Sequence, residues 1–254
     1  MNAATLLTRL YPPAVRERWG ADISEQVAAS GVRSWADTLA GAARLWFHPG
    51  DWPETSAGQT RRVLTVALFV LVAMAGLLLR TVEPSTTLTA DIRHPVSSLW
   101  LVPLLLGVVL ATPLPPLRGD ALRRLAVATV RALTAPAVAA LAVFWSAWSG
   151  TATHLTGLAH AAAFLCYWLT LGFVALRLCT LVARVSRTAA LPTTRRLSTA
   201  LLCVGAGLTF ASAQYLVTVL RTAPQPATLA QTAALALLAT TALGVGRDLW
   251  HRPA

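Results

Sequence analysis

The chain contains no lysine. That absence removes the residue on which a Walker-type phosphate loop depends, so the chain is not itself a P-loop ATPase. Charge of either sign is scarce. Only 12% of the 254 residues are charged, where a soluble domain carries about 25%. The ten acids sit in the N-terminal region, between apolar runs or at the tail. An aspartate-rich magnesium–diphosphate site therefore has no ligands within those runs, and neither does a carboxylate proton relay. The three cysteines, Cys166, Cys179 and Cys203, all fall in apolar runs and form no C-x-x-C pair. They read as small packing residues rather than a disulfide framework or a zinc site. Neither H-E-x-x-H nor G-x-S-x-G occurs, which leaves a zinc protease or a hydrolase elbow without its motif. The first thirty residues carry acids and prolines in place of the continuous apolar stretch of a secretory signal.

What the chain has in abundance is apolar sequence, 56% of it. A helix needs about 20 apolar residues to cross a hydrocarbon core of about 30 Å. Six runs qualify, at about 63–82, 97–114, 125–148, 157–182, 198–220 and 229–246. The fold class expected is all-α: a polytopic membrane protein with about six transmembrane helices and a small N-terminal cytoplasmic helical module. Residues 1–55 would form the module and 56–254 the transmembrane domain. Pro113, Pro115 and Pro116 stop the second run, and Pro136 removes a backbone hydrogen bond inside the third.

The net charge of +11 comes from arginines lying between the apolar runs. That distribution points to membrane topology rather than to nucleic acid. With the N-terminus in the cytoplasm, sixteen arginines fall inside and Arg80, Arg93 and Arg221 outside, the bias that orients membrane proteins. Arg131 and Arg177 fall near the inner ends of their spans and are expected to snorkel to the interface. Trp100, Trp145, Trp148 and Trp250 fall near span ends, as interfacial anchors do. Six spans return the C-terminus to the cytoplasm of a cell-membrane protein.

The polar opening stretch is patterned as helix. In "YPPAVRERWGADISEQV", Val15, Trp19, Ile23 and Val27 recur every four residues. "ASG" at 29–31 reads as a stop, and Ser34 with Asp37 as a near capping box. A second stripe follows at Trp35, Leu39, Ala42 and Trp46. The stripes can pack on each other, lie on the inner leaflet or meet a partner, with Trp19, Ile23, Trp35 and Trp46 as the contact candidates.

The stretches "RLYPPAVRERWGADI" and "WADTLAGAARLWFHP" resemble the N-terminal prefix of actinobacterial membrane proteins. The prefix has the form R-L-Y-P-x-x-x-R-x-R-aromatic-G-x-acid, then a helix ending in His-Pro. The matching residues are Arg9, Leu10, Tyr11, Pro12, Arg16, Arg18, Trp19, Gly20, Asp22, His48 and Pro49. The resemblance covers about residues 8–50. It implies an association with ABC-transporter permease systems and PadR-type regulators, and it brings no catalytic residues.

Within the spans, Gly207 and Ala211 form a small-xxx-small face for close helix packing, with Gln214 a polar group on the same run. His154 and His160 flank the outer end of the fourth run. Six residues apart and without a nearby acid, they read as interfacial histidines rather than metal ligands. The expected function is a non-enzymatic membrane protein, an accessory or transporter-associated subunit. Its partners would be the lipid bilayer and an ABC-transporter ATPase or other membrane subunit, with no nucleic acid and no cofactor. A compact ABC-type permease and an intramembrane enzyme without a recognisable motif are the alternatives.

Overall fold

The computed structural model describes residues 3–53, 58–82, 99–113, 119–148, 157–186, 190–221 and 226–251. These residues build an all-α chain. Three helices form the N-terminal segment: α1 (Ala3–Thr8), α2 (Pro13–Ser30) and α3 (Trp35–Phe47). Six follow: α4 (Gln59–Val82), α5 (Leu101–Ala111), α6 (Gly119–Trp148), α7 (Leu158–Val185), α8 (Thr194–Arg221) and α9 (Pro226–His251). α4, α6, α7, α8 and α9 are long and apolar enough to cross a bilayer, which makes this a polytopic membrane protein.

The second expected span is the exception in length. Residues 97, 98 and 114 lie outside the described residues, and between them helix runs only over the eleven residues of α5. At 1.5 Å per residue that is about 16 Å, roughly half a hydrocarbon core. α5 ends because Thr112 precedes Pro113. The proline ring disfavours helical geometry in the residue before it, and Thr112 is extended at φ −64°, ψ 123°.

α8 is the centre of the bundle, packed against α9 on one side and α5 on the other. Both neighbours run antiparallel to it. Along α5, Gly107 meets Ala200 and Val204 of α8, while Trp100 and Leu104 meet Gly207. Along α9, Gly246 meets Leu201 and Leu202, while Leu243 meets Gly205. α4 closes the bundle against α8 and α9, α7 packs on α4, and α6 packs on α7. The large apolar side chains Val130, Val138, Leu141, Phe144 and Trp145 of α6 are exposed from the protein, a surface that lipid covers.

One end of the bundle carries the N-terminal segment, the start of α4 and the end of α9; we call it the proximal end. A single buried cluster joins Ala14, Val15 and Trp52 of the N-terminal segment to Leu64 and Leu68 of α4, Leu197 and Leu201 of α8 and Leu249 of α9. The helix termini at this end are closed by arginines. The Arg196 guanidinium donates to the Val109 carbonyl in the last turn of α5 (3.2 Å), and Arg62 Nε donates to the Ser186 carbonyl after α7 (3.2 Å). Cations there satisfy orphan carbonyls and oppose the negative end of the helix dipole.

Trp100 is buried within the bundle. α5 begins halfway along α8, so Trp100 lies near the middle of α8, 6% exposed, with its carbonyl against Gly207.

Candidate functional site

The N-terminal segment is assembled by ring donors reaching backbone carbonyls. Trp46 Nε1 donates to Leu10 O (2.8 Å), Trp52 Nε1 to Leu45 O (2.7 Å) and Tyr11 OH to Thr38 O (3.1 Å). The Trp46 and Trp52 rings meet edge-on at 5.3 Å, the arrangement aromatic quadrupoles prefer. Burial pushes the Tyr11 phenol up from its ordinary pKa. Gly41 packs beside it: a Cβ there would stand 3.2 Å from the Tyr11 hydroxyl, a tight contact.

Polar contacts fasten this segment to the bundle. Gln59 Nε2, in the first turn of α4, donates to Glu17 Oε1 of α2 (3.1 Å). The Gly50 amide donates to Asp248 Oδ2 near the end of α9 (3.3 Å). Polar bonds between elements add little net stability, about 1 kcal/mol each, but they set the register of the contact.

The helical stripes fall partly inside and partly outside. On α2, Val15 and Val27 are buried and Ile23 packs against the core, whereas Trp19 is 41% exposed with the Arg18 guanidinium 5.4 Å over its ring. On α3 the expected stripe of Trp35, Leu39, Ala42 and Trp46 is only half turned inward. Thr38 and Ala42 are buried, Leu45 and Trp46 pack against the core, and Trp35, Leu39 and Phe47 are exposed. The inner face is thus made of the small residues Thr38 and Ala42 together with Leu45 and Trp46. The capping box at Ser34 and Asp37 does not form. Ser34 is itself helical, and its hydroxyl donates to Gly31 O (3.0 Å). A 3-10 turn, Gly31–Ser34, leads straight into α3, while Gly31 at φ 62° ends α2.

On α8, Gly207 and Ala211 are buried and Gln214 is exposed. A Cβ on Gly207 would stand 2.9 Å from Trp100 O and 3.0 Å from Leu104 Cβ. Two further close approaches were not singled out from sequence. Gly107 presses on Val204, and Ser198 Oγ donates to Gly246 O (2.6 Å) where α8 crosses α9. The four-residue spacing of Gly107 and Ala111, both buried on α5, was a signal that could have found the first.

The other feature that sequence reading left scattered lies between α6 and α7. Arg123, Arg131, Arg177 and Arg184, with Val127, Ala128 and Ala132, line a cavity of about 870 Å³. Antiparallel packing brings Arg131 and Arg177 to one space, where sequence placed each as a separate snorkel. Arg177 sits 5.0 Å over the Phe173 ring, a cation–π contact that orients it.

His154 lies outside the described residues, as does the side chain of His160 in the first turn of α7. Among the described residues no group of three His, Cys, Asp or Glu comes together as a metal site. Cys166, Cys179 and Cys203 are unpaired thiols. No protein-family model, curated protein or solved structure matches the chain.

Proposed function

We propose that the chain is a non-enzymatic accessory subunit of a membrane transport system, held in the cell membrane with both termini in the cytoplasm. The observation that carries this reading is the fastening of the N-terminal segment to α4 and α9. The Gln59–Glu17 and Gly50–Asp248 contacts, and the shared core through Val15, Trp52 and Leu64, tie its helices to the spans. Trp19, Trp35 and Leu39 nevertheless stay exposed on those same helices. A partner subunit gripping them would be coupled to the membrane helices without touching lipid-buried residues. The likeness of residues 8–50 to the prefix of transporter-associated membrane proteins supports the same reading.

The orientation is supported by charge. Arg61, Arg62, Arg184, Arg195, Arg196 and Arg247 gather at the helix ends nearest the N-terminal segment, the side that faces the cytoplasm under the positive-inside bias. The test is a photo-crosslinking residue at position 35 in native membranes. The expected adduct is a transport ATPase or another membrane subunit. An adduct to lipid alone would overturn the proposal.

A further inference from the structure

We propose that the arginine-lined cavity between α6 and α7 is a binding site for a phosphate-bearing anion, either the headgroup of an anionic phospholipid or a soluble phosphate compound. The site is independent of any partner on the N-terminal segment.

The first observation is depth. The apolar stretch of α6 begins at Ala126 and that of α7 ends at Val185. Arg131 is five residues inside the first and Arg177 eight residues inside the second, about 7 and 12 Å along the helix axes. Arg123 and Arg184 stand at the rim. The four form two levels, one at the membrane surface and one a turn or two below it.

The second observation is the want of a counter-charge. From Ala121 to Arg247 the chain has ten arginines and no acid. The nearest acid, Asp120, precedes Arg123 by three residues, and no acid is among the lining residues. An arginine within a span costs about 2.5–3.5 kcal/mol on insertion scales, and such residues pair or mark a ligand path. Here two line one space between facing helices with no acid among the lining residues. An anion from outside the chain would supply the counter-charge.

The third observation is shape. Arg123, Val127 and Arg131 follow at four-residue steps along α6, and Arg177 and Arg184 lie seven apart on α7, so each helix turns one basic stripe to the other. Between the arginines the walls are small, Ala128 and Ala132. The space of about 870 Å³ exceeds what a lone carboxylate fills. Guanidinium groups match phosphate oxygens in paired N–H···O bonds, and basic pockets between membrane helices hold lipid phosphates.

The experiment uses the full chain in a neutral detergent, with thermal unfolding read after adding phosphatidylglycerol, phosphatidylcholine or inorganic phosphate. R131Q and R177Q are the variants, and R221Q, outside the cavity, is the control. Removing a charge from an apolar layer favours insertion, so these variants retain the means to fold. Phosphatidylglycerol should raise the unfolding temperature of the wild type and of R221Q, with about tenfold weaker half-saturation in R131Q and R177Q. A rise with phosphatidylglycerol and not with inorganic phosphate assigns the site to a lipid headgroup; a rise with phosphate, lost in R131Q and R177Q, assigns it to a soluble compound. If neither anion stabilises the wild type, or R131Q and R177Q respond as the wild type does, the proposal is wrong.

Discussion

Gly107 on α5 lies so close to Val204 on α8 that a Cβ at position 107 would stand 2.6 Å from Val204 Cγ2 and 2.7 Å from Ala200 O. Part of that clash is with backbone, which a rotamer change cannot relieve. Gly107→Ala is therefore expected to destabilise the protein by about 1–3 kcal/mol, the usual cost of overpacking. Gly172→Ala on α7 is the matched comparison, with nothing within 4 Å of its added Cβ. It should be neutral or stabilising by up to about 1 kcal/mol, since alanine favours helix over glycine. Thermal unfolding of the two variants in detergent checks the pair. Equal losses would mean that α5 does not press on α8.

Deleting residues 1–53 should leave the spans inserted and lower the unfolding temperature. Insertion depends on the apolar runs and on Arg61 and Arg62, which remain. Stability depends on a core that Val15 and Trp52 share with Leu64, Leu68 and Leu197. Membrane extraction and a melting curve separate the two effects. A truncated chain as stable as the full one would show that the segment does not contribute to the bundle's core.

The aromatic residues of the N-terminal segment should divide by environment. Trp52→Ala removes a side chain 5% exposed and its bond to Leu45 O, and should cost about 3–5 kcal/mol. Trp19→Ala and Trp35→Ala, at 41% and 37% exposed, should stay within about 0.5–1 kcal/mol of wild type while weakening partner cross-linking. Denaturation of the three variants, with cross-linking read from a photo-reactive residue at position 39 instead of 35, tests this together.

Tyr11 gives an alkaline signature. Its phenol is raised by burial and donates to Thr38 O. A raised folded pKa means that the unfolded chain loses this proton first. The contribution is whole below the unfolded value of about 10 and fades as pH climbs through the folded one. Tyr11→Phe should flatten the alkaline limb of stability against pH. An unchanged limb would place its cause elsewhere.

How far the sequence could be read depended on which property carried the information. Five apolar runs became helices long enough to cross a bilayer because hydropathy and length decide that alone. Their edges moved where polar residues continue the helix: α6 starts at Gly119 rather than near 125, taking Arg123 and Arg124 with it. The faces were harder. On α3 the stripe Trp35, Leu39, Ala42 and Trp46 divided: Ala42 is buried and Trp46 packs against the core, with Thr38 and Leu45 beside them, while Trp35 and Leu39 stay exposed. In an apolar helix every side is hydrophobic, so polarity no longer marks the buried one; small residues do, as at Gly207. The arginine cavity needed the antiparallel packing of two helices. The spacing of Arg123 and Arg131, and of Arg177 and Arg184, was visible, but not that the two stripes face each other.

The most direct measurement is alkylation from outside intact cells, on a chain whose native cysteines have been replaced. Leu158→Cys sits at the start of α7, away from the N-terminal segment, where Leu158 is 90% exposed. Ser24→Cys lies in α2, and Ala190→Cys just before α8, where Arg195 and Arg196 follow. An impermeant maleimide should label position 158 and leave 24 and 190 unlabelled until the cells are opened. Labelling of 24 or 190 in intact cells, with 158 protected, would contradict a cytoplasmic arginine-rich face.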